Sequence, residues 1–405
     1  MGPPILSQAA PVPAAPAVSA LAAKVLDGVR ITPDEALTLH RQADLATLAY
    51  LADEVRWRKH PEPVVTYIVD RNLNPTNVCI TDCGFCAFYA RPNDTGKAYV
   101  LDRQTIYAKI QETIDVGGVQ ILMQGGHHPY LKVDWFEELL GDIKARWPDL
   151  HLHAMSPPEI DHLAKISKIS TRETIRRLAA AGMDSIPGGG AEILVDEVRA
   201  IMAPKKTSSD DWLRIMREAH EEGLRTTVTM MFGHIETDAH RIEHLRRVRE
   251  LQDDTGGFTA FIDWTFQPGG NPMGAELLRR GWRKTTHAEY FRTTAVARIF
   301  LDNIDNLQAS FVTQGADAAA VSLRMGCNDF GSAMLEENVV SSAGCFELVA
   351  IDDIEARIRA AGFVPRQRNQ RYEIVDARGP APTAEELARV GAAATGRHTR
   401  ETACA

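Results

Sequence analysis

The stretch NVCITDCGFCAFY places Cys79, Cys83 and Cys86 within eight positions of a 405-residue chain that holds six cysteines. At that cysteine content a fixed three-cysteine spacing arises by chance in on the order of one chain in a thousand, so the cluster calls for a chemical reason. Clustered thiols of this kind bind metal or do redox chemistry. A structural zinc site closes with four ligands, and the fourth would come from His127, His128 or Cys327. A disulfide would pair two of the three and leave one over. Ordinary ferredoxin cubes take four cysteines, one for each iron. Three cysteines leave one corner of a 4Fe-4S cluster without a protein ligand, and at an open iron a small molecule can coordinate and receive an electron. The other cysteines are scattered: Cys327 and Cys345 read as small apolar residues, Cys404 as an exposed tail thiol.

The elements that must position these thiols read as an α/β chain. VVTYIVD (64 to 70) is β-branched and alternating, and the Asn/Pro-rich NLNPTN after it predicts a loop that delivers Cys79. Apolar runs at 119 to 123, 150 to 155, 183 to 186, 224 to 232, 258 to 266 and 307 to 312 predict further strands. Helical stripes lie between them. Trp135, Phe136, Leu139, Leu140, Ile143 and Trp147 share one face, and Ile242, Leu245, Val248 and Leu251 share another. Strands separated by helices of this length cannot form hairpins, so they pair in parallel with the helices outside, as a full or partial TIM-like β/α barrel. Polar or glycine-rich segments follow the strands: Gln124-Gly125-Gly126-His127-His128, Ser156-Pro157-Pro158-Glu159, Pro187 to Gly190, Gly233-His234, Gln267-Pro268 and Gln314-Gly315. In a parallel barrel such loops share the rim that carries active sites.

CITDCGFC has the C-x3-C-x-aromatic-C form of the radical S-adenosylmethionine (SAM) enzymes, with Phe85 at the aromatic position, and the chain resembles that family. QGGHHP (124 to 129), HAMSPPEI (153 to 160), DSIPGGGAEIL (184 to 194), MMFGHIET (230 to 237), GGFTAFIDWTFQPG (256 to 269) and NDFGSAMLEENVVSSAG (328 to 344) carry it further. Together they resemble the cyclic dehypoxanthinyl futalosine synthase family of the futalosine route to menaquinone, from about residue 25 to about 375. Aminofutalosine synthase and the deazaflavin (FO) synthase subunits share the cysteine motif and the SPPE, PGGG and GH elements. Asp263 departs from the family form, where Pro is expected, and Gly269-Gly270-Asn271 is altered after it.

The resemblance implies a 4Fe-4S cluster on Cys79, Cys83 and Cys86 whose fourth iron is chelated by S-adenosylmethionine. A 5′-deoxyadenosyl radical then takes hydrogen from the ribose of dehypoxanthine futalosine, and the carbon radical attacks the attached benzoate ring. Loss of an electron and a proton restores aromaticity. For SAM, the resemblance points to Gln124 as a hydrogen-bonding group, to the backbone at Gly125 and Gly126, where a β-carbon would obstruct the methionine end, and to Phe85 beside the adenine. Glu159 and Glu192 are acceptors suited to ribose hydroxyls, and equally to helix-start carboxylates. Proton acceptors at the rim are Tyr89, His128, His234 and Glu236, with the histidines ranked first because their pKa lies near working pH. Arg298, Thr313 and Gln314 are candidates for the substrate carboxylate.

The net charge of −9 lacks the basic patch that nucleic acid or anionic lipid requires, and no apolar run is long enough to span a bilayer. The expected partners are the small-molecule substrate and a low-potential electron donor, in the reducing cytoplasm. Residues 1–24 read as a disordered lead-in and 25–63 as a helical segment, in which Thr32, Pro33 and Glu35 form a helix start. The barrel is expected over 64–325, a C-terminal extension with a helix and a short strand over 326–376, and a poorly ordered tail over 377–405.

Overall fold

The computed structural model describes residues 16–345 and 349–375. Ten strands are present among them: β1 Val64–Ile68, β2 Asp70–Leu73, β3 Gln120–Met123, β4 His151–Ala154, β5 Ser185–Ile186, β6 Arg225–Phe232, β7 Phe258–Thr265, β8 Asn306–Gln308, β9 Asp329–Ser332 and β10 Val364–Gln367. All pair in parallel, in the order β10-β1-β9-β8-β7-β6-β5-β4-β3-β2. β1 and β2 are separated by Val69 alone, yet β1 pairs with β9 and β2 with β3. One continuous stretch therefore bonds to both flanks of the sheet, which curls round into a barrel about residues 64–73. β10 lies against Val64–Tyr67, on the opposite side of β1 from β9.

Side chains alternate along each strand between the barrel interior and the helix layer. Leu122, His153, Thr227, Thr229, Ile262 and Trp264 line an interior cavity. Their neighbours Ile121, Leu152, Val228 and Phe261 are fully buried in the core. The helix Val133–Arg146 buries Phe136, Leu139, Leu140 and Ile143, as its stripe predicts. Burial of each such side chain contributes roughly 1.5–3 kcal/mol. The start at Thr32 is also as expected: Glu35 N–H donates to Thr32 Oγ1, and Thr32 N–H to Glu35 Oε2.

Several boundaries differ from the sequence reading. A helix runs over Pro16–Leu26, starting within the expected lead-in of residues 1–24 and crossing its end. Val18 and Val25 are buried, so its alanine-rich stretch is held by tertiary contacts; residues 1–15 lie outside the described residues. The barrel does not end at 325, because β9 (Asp329–Ser332) pairs with both β8 and β1 and completes the ring. NDFGS lacks strand-like alternation since Asp329 is itself an interior ion-pair partner. It accepts from Arg368 Nε at 2.5 Å and from Thr66 Oγ1 at 2.5 Å. In the expected loop NLNPTN, Asn72 and Leu73 belong to β2. The expected strand over 307–312 stops at Gln308 and gives way to a short helix, Phe311–Gln314. The helix Ile351–Ala360 and β10 are the helix and strand expected in the extension. The expected tail, 377–405, lies outside the described residues, as does Cys404. Among the described residues no helix is long and apolar enough to cross a membrane.

Candidate active site

The loop carrying the three cysteines leaves β2 and is fixed through its backbone. Cys79 N–H donates to the Ala90 carbonyl at 2.9 Å, and Gly84 N–H to the Met202 carbonyl at 2.9 Å. Met273 N–H in turn donates to the Gly84 carbonyl at 2.9 Å, so Gly84 is held between the ends of two helices. Lys97 Nζ closes the far side on the Ala87 and Tyr89 carbonyls. Asp82, at φ 51, turns the chain between the first two cysteines, and Lys205 Nζ donates to its carboxylate at 2.9 Å.

Cys79, Cys83 and Cys86 line one cavity of ≈ 270 Å³ with Phe85, Tyr89, Gln124, Gly125, Gly126, Glu159, Glu192 and Lys206. Among the described residues no three His, Cys, Asp or Glu side chains are arranged to hold a single ion. Three thiols lining one cavity suit a cluster, in which each cysteine meets its own iron. Burial pushes the Cys83 thiol up to about 12 and raises Cys86 as well, with Lys206 acting against both shifts. A bound metal centre would displace those protons.

The Gly125-Gly126 turn is needed for close approach to the cysteine loop itself. A β-carbon at Gly126 would lie 2.2 Å from the Val78 carbonyl oxygen. Gly125 N–H donates to Glu159 Oε1 at 2.8 Å, while Glu159 Oε2 accepts from Ser156 N–H and Oγ at 2.8 and 2.5 Å. Glu159 thus caps the helix Pro157–Ser167 and positions the glycine turn. Glu192 is different. Its Oε1 takes Lys206 Nζ at 2.7 Å, but its buried Oε2 has no hydrogen-bond partner, and Arg199 lies 3.6 Å away. Lys206 is largely buried, which opposes its charge, yet Glu192 and Cys83 outweigh this and raise its pKa. No motif in the sequence singles out this lysine.

A second lobe, ≈ 260 Å³, runs down the barrel interior and shares Gln124, Gly189, Trp264, Thr313, Val339 and Val340 with the first. Asp70, Gln120, His153, Gln370 and Tyr372 line its floor. The segment bearing Val339 and Val340 packs on the altered Gly269-Gly270 turn, where a β-carbon at Gly269 would sit 2.1 Å from the Ala343 carbonyl oxygen. The two glycines therefore seat this roof. Asp263 faces the other way, into the helix layer, with Thr294 Oγ1 as its hydroxyl donor.

Three of the four expected proton acceptors lie off the cavity. His128 Nδ1 accepts from the Tyr130 and Leu131 N–H groups at 3.2 Å. His234 is engaged by the Met231 carbonyl, the Ile235 N–H and Glu236, and burial lowers its pKa. Glu236 accepts from the Gly233 and His234 N–H groups and from Arg241. Tyr89 does line the cluster lobe. Of the carboxylate candidates, Thr313 lines both lobes. Arg298 is engaged by the carbonyls of Gly326 and Asp305 and by Asn328, and Gln314 by Thr265 and Thr313.

Residues 73–248 match the radical SAM superfamily, and residues 255–380 match the CofH/MqnC C-terminal region. The cyclic dehypoxanthine futalosine synthase of Streptomyces coelicolor is 48% identical over 85% of this chain and 86% of its own. The chain belongs to the radical SAM family. Within it, the enzyme of the same name from Halalkalibacterium halodurans is 43% identical over 87% of this chain and 93% of its own. Aminodeoxyfutalosine synthase of Thermus thermophilus is 38% identical over 89% and 96%. Among solved structures, methylornithine synthase superposes with a TM-score of 0.66 at 19% identity, over 85% of this chain and 97% of that one. That likeness speaks for the fold. A radical SAM chain carries a 4Fe-4S cluster and SAM, and the cysteine-lined lobe fits them.

Proposed function

We propose that the chain converts dehypoxanthine futalosine to cyclic dehypoxanthine futalosine, in the futalosine route to menaquinone. The observation that carries this reading is the 48% identity to the Streptomyces coelicolor enzyme of that name across 85% of the chain. The two-lobed cavity agrees with it, since one lobe is lined by thiols and the other by apolar side chains and polar groups that are nearly all neutral or already paired.

Cys79, Cys83 and Cys86 hold the cluster. When bound, the cluster and SAM supply a 5′-deoxyadenosyl radical that removes one hydrogen atom from the substrate. Gln124, at the junction of the lobes, and the Gly125-Gly126 backbone would hold the methionine end of SAM, with Glu159 fixing the turn behind them. The free oxygen of Glu192 would accept from a hydroxyl, and Phe85 would stand beside the adenine. The barrel lobe takes the substrate, and Trp264, Val339 and Val340 exclude water where the two ligands meet. A low-potential donor must deliver the electron, which places the enzyme in a reducing compartment such as the cytoplasm.

The test is anaerobic reconstitution with iron and sulfide, followed by incubation with a reductant, SAM and dehypoxanthine futalosine. Free 5′-deoxyadenosine and the cyclised product are expected in equal amounts. A product that retains the adenosyl group, or a protein that takes up zinc in place of the cluster, would overturn the reading.

A further inference from the structure

Rearomatisation requires a base in the barrel lobe, and the lobe offers few. Asp70 has both oxygens engaged, by Ser332 Oγ and by Gln120 Nε2. The Glu337 carboxylate accepts the N–H groups of Val339, Val340 and Ser341. Arg368 is a donor, paired with Asp329. His153 is the imidazole on this wall, and its Nε2 makes two long hydrogen bonds, with Thr227 Oγ1 and Gln370 Nε2, each at 3.4 Å. Its other nitrogen is firmly held: Nδ1 lies 2.6 Å from Ser185 Oγ. The same hydroxyl lies 2.7 Å from Nε2 of His151, a half-buried residue one turn of the pleat nearer the barrel floor.

This pattern accommodates a proton on Nδ1 of His153. In the tautomer in which the Nδ1–H of His153 donates to Ser185 and the Ser185 hydroxyl donates to His151, the Nε2 of His153 carries the lone pair, with Thr227 and Gln370 beside it on the cavity wall. Burial lowers the pKa of His153 well below the usual imidazole value and that of His151 to about 4, so both rings rest neutral and hold a proton only transiently.

We propose that His153 takes the ring proton in the rearomatising step, and that Ser185 and His151 carry the charge on toward the barrel floor. The inference rests on the cyclase reading. Attack of the ribose carbon radical forms one carbon–carbon bond and leaves the benzoate ring as a delocalised radical. The C–H bond at the attacked carbon then breaks. Its proton goes to His153 Nε2 and its electron pair rejoins the ring. The surplus electron would leave to a one-electron acceptor, which the oxidised iron–sulfur cluster would supply, and aromaticity would return. Proton entry at Nε2 releases the Nδ1 proton to Ser185 Oγ, whose own proton passes to His151 Nε2.

Two variants test this, with two readouts each. For His153→Gln, the apoprotein is expected to bind dehypoxanthine futalosine within about threefold of wild type by calorimetry. In the reconstituted enzyme, 5′-deoxyadenosine release should persist within a few-fold while cyclised product falls about 100-fold, the scale of a lost general base. Imidazole added to His153→Ala should restore part of that product. Ser185→Ala, which interrupts the relay while keeping the imidazole, should lose about tenfold in product with 5′-deoxyadenosine release unchanged. The assignment is overturned if His153→Gln makes product at the wild-type rate, or if binding, 5′-deoxyadenosine and product all fall together. An unimpaired Ser185→Ala would overturn the relay. A wild-type enzyme that forms neither product would overturn the cyclase reading and this inference with it, whereas an active wild type beside an unimpaired His153→Gln removes the inference alone.

Discussion

The two lobes of the cavity are built on different principles. The cluster lobe is a set of backbone contacts: Gly84 tied to Met202 and Met273, and Gly126 pressed against Val78, with the charges of Lys206 and Glu192 set among the thiols. The barrel lobe is made of side chains from separate strands, and its polar groups are nearly all neutral or already paired. The contrast follows from what each must hold. A charged cofactor of fixed shape calls for a rigid, charged cradle, while a radical intermediate calls for a wall with little to react with.

The largest expected effect is the removal of one cluster ligand. Cys83→Ala should lose the cluster's visible absorbance and all SAM cleavage, with the far-ultraviolet circular dichroism of the apoprotein unchanged. Cleavage persisting in that variant would break the assignment of the whole lobe. Next comes its buried charge pair. Lys206→Met leaves Glu192 without its 2.7 Å partner, in a place where both side chains are largely buried. Breaking such a pair costs about 3–5 kcal/mol, readable in urea unfolding of the apoprotein. A loss below about 1 kcal/mol would show that Arg199 or solvent neutralises Glu192 instead.

A smaller effect separates backbone fit from ligand contact. Gly126→Ala places a β-carbon 2.2 Å from a backbone oxygen, so the cysteine loop must shift, at a cost of about 1–3 kcal/mol. Iron content after reconstitution should fall together with stability. If only the affinity for SAM fell, with iron content and stability intact, the glycine would be there for SAM and not for the loop.

The same contrast governs what could be read from the sequence. The cluster lobe is local: three cysteines within eight positions, a glycine pair after one strand and a capping box after the next, each carrying its physical reason in its spacing. Lys206 escaped because its partners, Glu192 and Cys83, are joined to it only by the fold. The barrel lobe was almost wholly hidden. HLHAM reads as a strand, and nothing in that pattern says that His153 meets Ser185 and Gln370, from an adjacent strand and from the extension. His128 and His234 drew attention as rim histidines, yet their rings hold their own loops in shape. β9 was overlooked because Asp329 interrupts its apolar pattern, and the partner that explains it, Arg368, lies 39 residues further on.

Asp263 sharpens the comparison by belonging to neither lobe. It stands on β7 between Ile262 and Trp264, which line the cavity, and its own side chain turns outward to Thr294. Burial raises its pKa from 3.8 to about 7, with the Thr294 hydroxyl opposing the shift. Its charge adds to the burial that raises the Tyr290 and Cys327 pKa values, and Arg241 acts on it from a distance. Between those two values the folded protein keeps a proton that the unfolded chain has released. Stability therefore falls as pH rises through that window and levels off above about 7. Asp263→Asn keeps the shape and a hydrogen-bonding group but cannot ionise. Relative to wild type it should gain on the order of 2 kcal/mol between pH 5 and pH 7.5, in urea unfolding of the apoprotein, with the ratio of cyclised product to 5′-deoxyadenosine unchanged. A changed ratio would mean that the outer face of β7 is felt through Trp264 at the junction of the lobes, and the separation of wall from cavity would have to be redrawn.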